Sequence, residues 1–130
     1  MSSSYKPNGY STVSPYLVVN EAASLIDFLE QLFGARQLIR IDGPNGAVMH
    51  AEIQIDDTVL MIGEAGEHWP PTPAHVHVYV EDVDACYKKA LELGAASVQE
   101  PMRRGQEPNR RAGIKDATGN TWWISTKVGV

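Results

Sequence analysis

Residues 75–94, HVHVYVEDVDACYKKALELG, decide the fold because they repeat the grammar of residues 14–34, SPYLVVNEAASLIDFLEQLFG. Each stretch carries a run of β-branched and aromatic residues that reads as a strand, over 13–19 in the first and 75–80 in the second. Each then changes to helical spacing. Ala22, Leu25, Ile26, Leu29, Leu32 and Phe33 form one apolar stripe; Val83, Cys86, Tyr87, Ala90 and Leu93 form the other, with Ala22 falling on Val83 and Leu29 on Ala90. Asn20 and Asp82 are the predicted N-caps, and Gly34 and Gly94 the predicted stops.

Outward from these stretches the two halves keep the same order. In the first, a strand at 36–41, the turn DGPNG, a strand at 48–55, Asp56-Asp57 and a strand at 58–62 are expected. In the second, a short strand at 97–99, a long loop PMRRGQEPNRR at 101–111, a strand at 112–115, the turn DATGN and a strand at 121–126 are expected. Each half is β-α-β-β-β, spanning 11–63 and 74–127, with the proline-rich linker EAGEHWPPTP at 64–73. A half of this size is marginal alone, so the two are expected to make one α+β domain over 11–130. The expected architecture is a curved mixed sheet with the helices on its convex side and a ligand cup on its concave side.

Composition narrows the function classes. A chain of 130 residues, 43% hydrophobic and 21% charged, has ordinary globular usage for one domain. Its net charge of −5 offers no basic face for nucleic acid or an anionic membrane. No apolar run approaches the about 20 residues that span a bilayer. Residues 1–10 lack the apolar core of a secretory signal and read as a polar tail, ordered only near Tyr10. The single cysteine, Cys86, can form no internal disulfide, and a cytoplasmic location is expected. Its place on the apolar helix face makes it a packed thiol.

Alternation along the strands separates two faces. His50, Glu52 and Gln54 share one face, opposite Met49, Ala51, Ile53 and Ile55. His75, His77 and Tyr79 share one face, opposite Val76, Val78 and Val80. The first strand adds Ser14, Tyr16 and Val18 to the polar face, and the last adds Thr121, Trp123 and Ser125, with Trp122 and Ile124 turned to the helices. Such a face can simply meet water. Imidazoles, a carboxylate, an amide and aromatic rings together also match the lining of a small-molecule pocket. The site residues expected on this ground are Tyr16, His50, Glu52, Gln54, His75, His77, Tyr79 and Trp123. Arg103, Arg104, Arg110 and Arg111 in the long loop read first as solvated charges. Their sharper reading is a lid whose guanidinium forks hold an anionic group.

The duplicated unit with a polar sheet face resembles the vicinal oxygen chelate superfamily, which contains glyoxalase I, bleomycin-resistance proteins and extradiol dioxygenases. PYLVV before a helix ending in LFGA, MHAEIQI, HVHVYVEDVDA and DATGNTWWIST carry the resemblance over residues 11–127. It is closest to the small glyoxalase/bleomycin-resistance-like proteins. In metal-dependent members the resemblance implies one ligand on each of four strands. Those positions fall here at Ser14, Glu52, His75 and Trp123, so only Glu52 and His75 can ligate. Catalytic zinc usually keeps about three protein ligands. His50 and His77 share the face and could stand in, although residues two apart on a strand are about 6–7 Å apart.

The first expectation is therefore a small-molecule-binding protein without a complete metal site and with no cofactor, taking an aromatic or anionic ligand, with Trp123 as a wall that suits flat or cationic guests. The alternative is a lyase, isomerase or dioxygenase dependent on Zn, Ni or Fe and acting on vicinal oxygens, with Glu52 as ligand or general base and His75 as ligand. A third is a regulatory domain whose cup is incidental. The resemblance also implies a homodimer.

Overall fold

A computed structural model describes residues 5–129, and the chain divides into two compact units, Met1–Thr72 and Pro73–Val130. The first unit runs β1 (Tyr16–Val19), α1 (Ala22–Phe33), β2 (Arg36–Asp42), β3 (Val48–Ile55) and β4 (Thr58–Glu64). The second runs β5 (His75–Tyr79), α2 (Val83–Glu92), β6 (Ala96–Met102), β7 (Asn109–Lys115) and β8 (Thr121–Lys127). Both units have the expected β-α-β-β-β order. Hydrogen bonding gives each a four-stranded mixed sheet of the same topology, β1-β4-β3-β2 and β5-β8-β7-β6. In each, the first strand lies parallel to the last and the remaining pairs are antiparallel.

The core of each unit follows from the apolar stripes. In the first, α1 packs on β3 and β4 and buries Ala22, Leu25, Ile26, Leu29 and Leu32. Each fully buried Leu or Ile there contributes about 1.5–3 kcal/mol. In the second, α2 packs on β6, β7 and β8, with Val83 and Ala90 buried, as are Ala112, Ile114, Trp122 and Ile124. Asp82 caps α2 as expected, accepting from the Ala85 amide at 3.1 Å. Gly34 stops α1 in the left-handed region, at φ 68°.

Four local expectations are corrected. The N-cap of α1 is Glu21, not Asn20; Glu21 is left-handed, at φ 60°, and its side chain makes no cap bond. The Glu64 carboxylate at the end of β4 does the capping, accepting from the amides of Glu21 at 2.8 Å and Ala22 at 2.9 Å. Strand β1 begins only at Tyr16, because Pro15 has no amide to give and offers only its carbonyl, to Met61. Met49 is exposed, not under the helix. Ile41 pairs with His50 and Asp42 with Val48, which makes Met49 the extra residue of a bulge.

The fourth correction concerns the long loop. Strand β6 extends to Met102 through Pro101, and β7 begins at Asn109. Proline is tolerated because β6 is the outermost strand of its sheet. Arg110 and Arg111 therefore lie on a strand, not in a lid, and alternation sends them to opposite faces. Arg110 meets Asp84 of α2 in a two-pronged pair at 2.9 and 2.8 Å. Arg111 goes to the face of Trp123.

Candidate functional site

The polar residues of the first unit form a hydrogen-bonded chain. His50 and Glu52 share a face of β3, and Tyr16 reaches them from β1 across β4. The crossing needs Gly63, since a Cβ there would stand 3.0 Å from the Tyr16 hydroxyl. Tyr16 Oη lies 3.1 Å from His50 Nδ1, and His50 Nε2 lies 2.8 Å from Glu52 Oε2. Tyr10 donates to the other carboxylate oxygen at 2.5 Å. One proton placement serves the whole chain: Tyr16 donates to Nδ1 and Nε2–H donates to Glu52. The bonds from His50 and then Tyr10 hold the Glu52 carboxyl below its ordinary range, and the same contact pushes Tyr10 up. Gln54 lies on this face but its oxygen is taken by Arg36 at 2.7 Å.

The second unit carries an open cleft of about 380 Å³, lined by His77, Gln99, Arg104, Arg111 and Trp123. Its floor is set by register. His75, His77 and Tyr79 on β5 stand beside Thr121, Trp123 and Ser125 on β8, so their side chains share a face. Trp122, one residue away, points into the core, where its indole N–H donates to Asp116 at 2.6 Å. That carboxylate also accepts from Thr118 and Asn120, which ties the inward tryptophan to the DATGN turn. Trp123 is thereby turned outward.

The Trp123 indole lies flat on the neighbouring strand. Gly113 is its partner in the ladder, and a Cβ at Gly113 would stand 2.6 Å from Cζ3 of the ring. The indole N–H donates to His75 Nδ1 at 3.1 Å, with the two ring planes 10° apart and their centroids 6.2 Å apart. A donor and an acceptor that both point in their ring planes join the rings edge to edge, as one flat platform. The Arg111 guanidinium sits 5.9 Å from the indole centroid. His77 Nε2 lies 3.0 Å from Ser125 Oγ, and its ring meets Tyr79 edge-on at 4.7 Å. Burial and then the Arg111 charge push the His77 imidazole below its ordinary value. Tyr79 also takes a hydrogen bond from Asn109 at 3.2 Å.

The described side chains do not assemble a metal centre. No group of three or more His, Cys, Asp or Glu residues able to hold a metal occurs among the described residues. Both Glu52 oxygens already accept hydrogen bonds. His75 Nδ1 accepts from Trp123, which leaves the ring proton on Nε2, so neither nitrogen offers a free lone pair. Sequence reasoning missed Tyr10, Gly63 and Gly113, and left Gln99 unremarked. A glycine facing an aromatic residue across a ladder was a signal for Gly113, once the register is known.

Comparison with known proteins agrees with this architecture. The family profile of the Glyoxalase/Bleomycin resistance protein/Dioxygenase superfamily matches residues 11–124. An uncharacterised protein of Mycobacterium bovis is 33% identical over 127 residues, covering 89% of this chain and 83% of its own. Its counterpart in Mycobacterium tuberculosis is also 33% identical, over 89% of this chain and 74% of its own. Among solved structures, TioX from Micromonospora sp. ML1 is similar with a TM-score of 0.74 at 24% identity, over 91% of this chain and 99% of that one. The fosfomycin resistance protein FosX from Listeria monocytogenes is similar with a TM-score of 0.74 at 14% identity, over 91% and 94%. That protein has also been crystallised with Mn(II) and sulfate. At these identities the structures share the fold.

Proposed function

Since the chain belongs to the Glyoxalase/Bleomycin resistance protein/Dioxygenase superfamily, we propose that it binds a small molecule in the cleft of its second unit and does so without a complete metal site. The observation that carries the reading is the platform of Trp123 and His75, seated on Gly113 and bordered by Arg111. A volume of about 380 Å³ falls within the range of about 300–1,000 Å³ usual for ligand pockets. An aromatic wall with a few fixed polar groups suits sequestration of a flat guest, as in the antibiotic-binding members that the sequence resembles. Of the expected site residues, His77 and Trp123 line this cleft, and His75 and Tyr79 support it. Tyr16, His50 and Glu52 form the separate chain in the first unit.

A second reading, catalysis, is favoured by that chain alone. Its Tyr16–His50–Glu52 order could pass a proton between a phenol and a carboxylate, with Glu52 as the base.

The test combines metal uptake with ligand screening. Protein incubated with Zn²⁺, Ni²⁺, Fe²⁺ or Mn²⁺ and then dialysed should retain far less than one ion per chain. A panel of planar fragments should shift the Trp123 indole N–H resonance, identified by its loss in Trp123→Phe. Near-stoichiometric metal that disappears in Glu52→Ala or His75→Ala would overturn binding without a metal site. A panel in which no fragment moves the indole resonance would overturn the cleft.

A further inference from the structure

Two adjacent arginines on β7 are treated differently by the fold. Arg110 has a carboxylate partner in Asp84. Arg111 has none: its Nε is buried and is the one buried side-chain nitrogen or oxygen without a hydrogen-bond partner among the described residues. Arg104, also on the cleft wall, has a single long contact, 3.5 Å to Gln99 Oε1. The Gln99 amide nitrogen is spent on the Arg111 carbonyl at 3.1 Å. The cleft lining thus holds two guanidinium groups, an amide, an imidazole and an indole, and no carboxylate, in a chain of net charge −5. A partly enclosed cation with an unmet donor is costly, and nearness to an indole offsets only part of that cost.

We infer that the ligand of this cleft is a planar aromatic anion, a ring bearing a carboxylate, whose charge is met by Arg111 with help from Arg104 and whose ring lies against the Trp123 indole. The inference rests on the reading that the cleft binds a small molecule. The guanidinium fork matches a carboxylate with two parallel N–H donors, which an ammonium cannot do. A flat ring follows from the Trp123 indole on the cleft wall, which a hydrogen bond to the nearly coplanar His75 ring holds in place.

The probes are 1-naphthoate, its neutral counterpart 1-naphthamide, and inorganic phosphate, read by calorimetry and by the Trp123 indole resonance. The wild-type protein should prefer naphthoate over naphthamide by about tenfold or more, the scale of one charge-assisted contact. That preference should weaken as salt rises. Arg111→Gln should reduce the ratio toward one, and Arg104→Gln should reduce it less. Should Arg111→Gln not fold, Arg111→Lys keeps the charge without the fork and should still lose most of the preference. Equal binding of naphthoate and naphthamide, both shifting Trp123, would overturn the anionic ligand while leaving small-molecule binding intact. Phosphate binding as tightly as naphthoate would overturn the planar ring. No response to any probe would overturn both the inference and the reading beneath it.

Discussion

Trp123 can lie flat because residue 113 has no side chain. In Gly113→Ala the new methyl group would meet a rigid ring at 2.6 Å, so the indole must tip away and release His75. Overpacking of this kind costs about 1–3 kcal/mol. The variant should melt at lower temperature, and its Trp123 indole resonance should move toward that of a water-exposed indole; an unchanged resonance would refute the seat. Arg111 has the opposite sign. Replacing an enclosed, unmatched cation with an apolar side chain of similar length removes a desolvation cost, so Arg111→Met should gain about 1 kcal/mol in denaturant unfolding while losing anion binding. Cys86 is simpler. Burial pushes its thiol up to about 11, so thiolate is scarce at neutral pH. Iodoacetamide at pH 8 should label the native chain far more slowly than the urea-unfolded chain, and equal rates would show the thiol to be accessible.

Among elements, the caps show how far sequence reading reaches. Asp82 was legible because its partner amide is three residues away. The cap of α1 was not, because its acceptor, Glu64, comes from another strand more than 40 residues along the chain. Glu64→Ala leaves the amides of Glu21 and Ala22 without that acceptor and should cost about 1 kcal/mol, measured by urea unfolding. Glu64→Gln, which keeps one oxygen, should cost less. Strand faces were legible for the same local reason: period-two alternation put His75, His77, Tyr79 and Trp123 together without knowledge of their partners. It failed at Met49, where a bulge resets the count, and at Arg110 and Arg111, because the Pro- and Gly-containing stretch from Pro101 read as one long loop and hid both the end of edge strand β6 and the start of β7. Gly63 and Gly113 were invisible for a related reason, since each matters only for the aromatic side chain lying over it.

At the scale of the whole molecule, acid should expose two carboxylates that the fold favours in their charged form. Glu52 is held low by His50 and Tyr10, and Asp84 by Arg110. A carboxylate whose folded value is depressed adds stability that is fully present above its ordinary value, 4.5 for Glu52 and 3.8 for Asp84. That stability is lost as pH falls through the depressed value. Below pH 4.5 the loss of stability with falling pH should be shallower in Glu52→Gln with Asp84→Asn than in the parent. Parallel curves would mean that other groups set the acid limit.

The pairing of β5 with β8 also has a kinetic consequence. His75 and Trp123 are 48 positions apart, yet they meet diagonally across a parallel pair that no short hairpin can join. Hairpins such as β7–β8 close over a few residues and can form early; the β5–β8 pair must wait for a long loop to close. On a ribosome, β5 emerges with its eventual neighbour still unmade. The platform therefore comes into existence late in the folding of its unit, and a partly synthesised or C-terminally nicked chain would present His75 and His77 with nothing beside them.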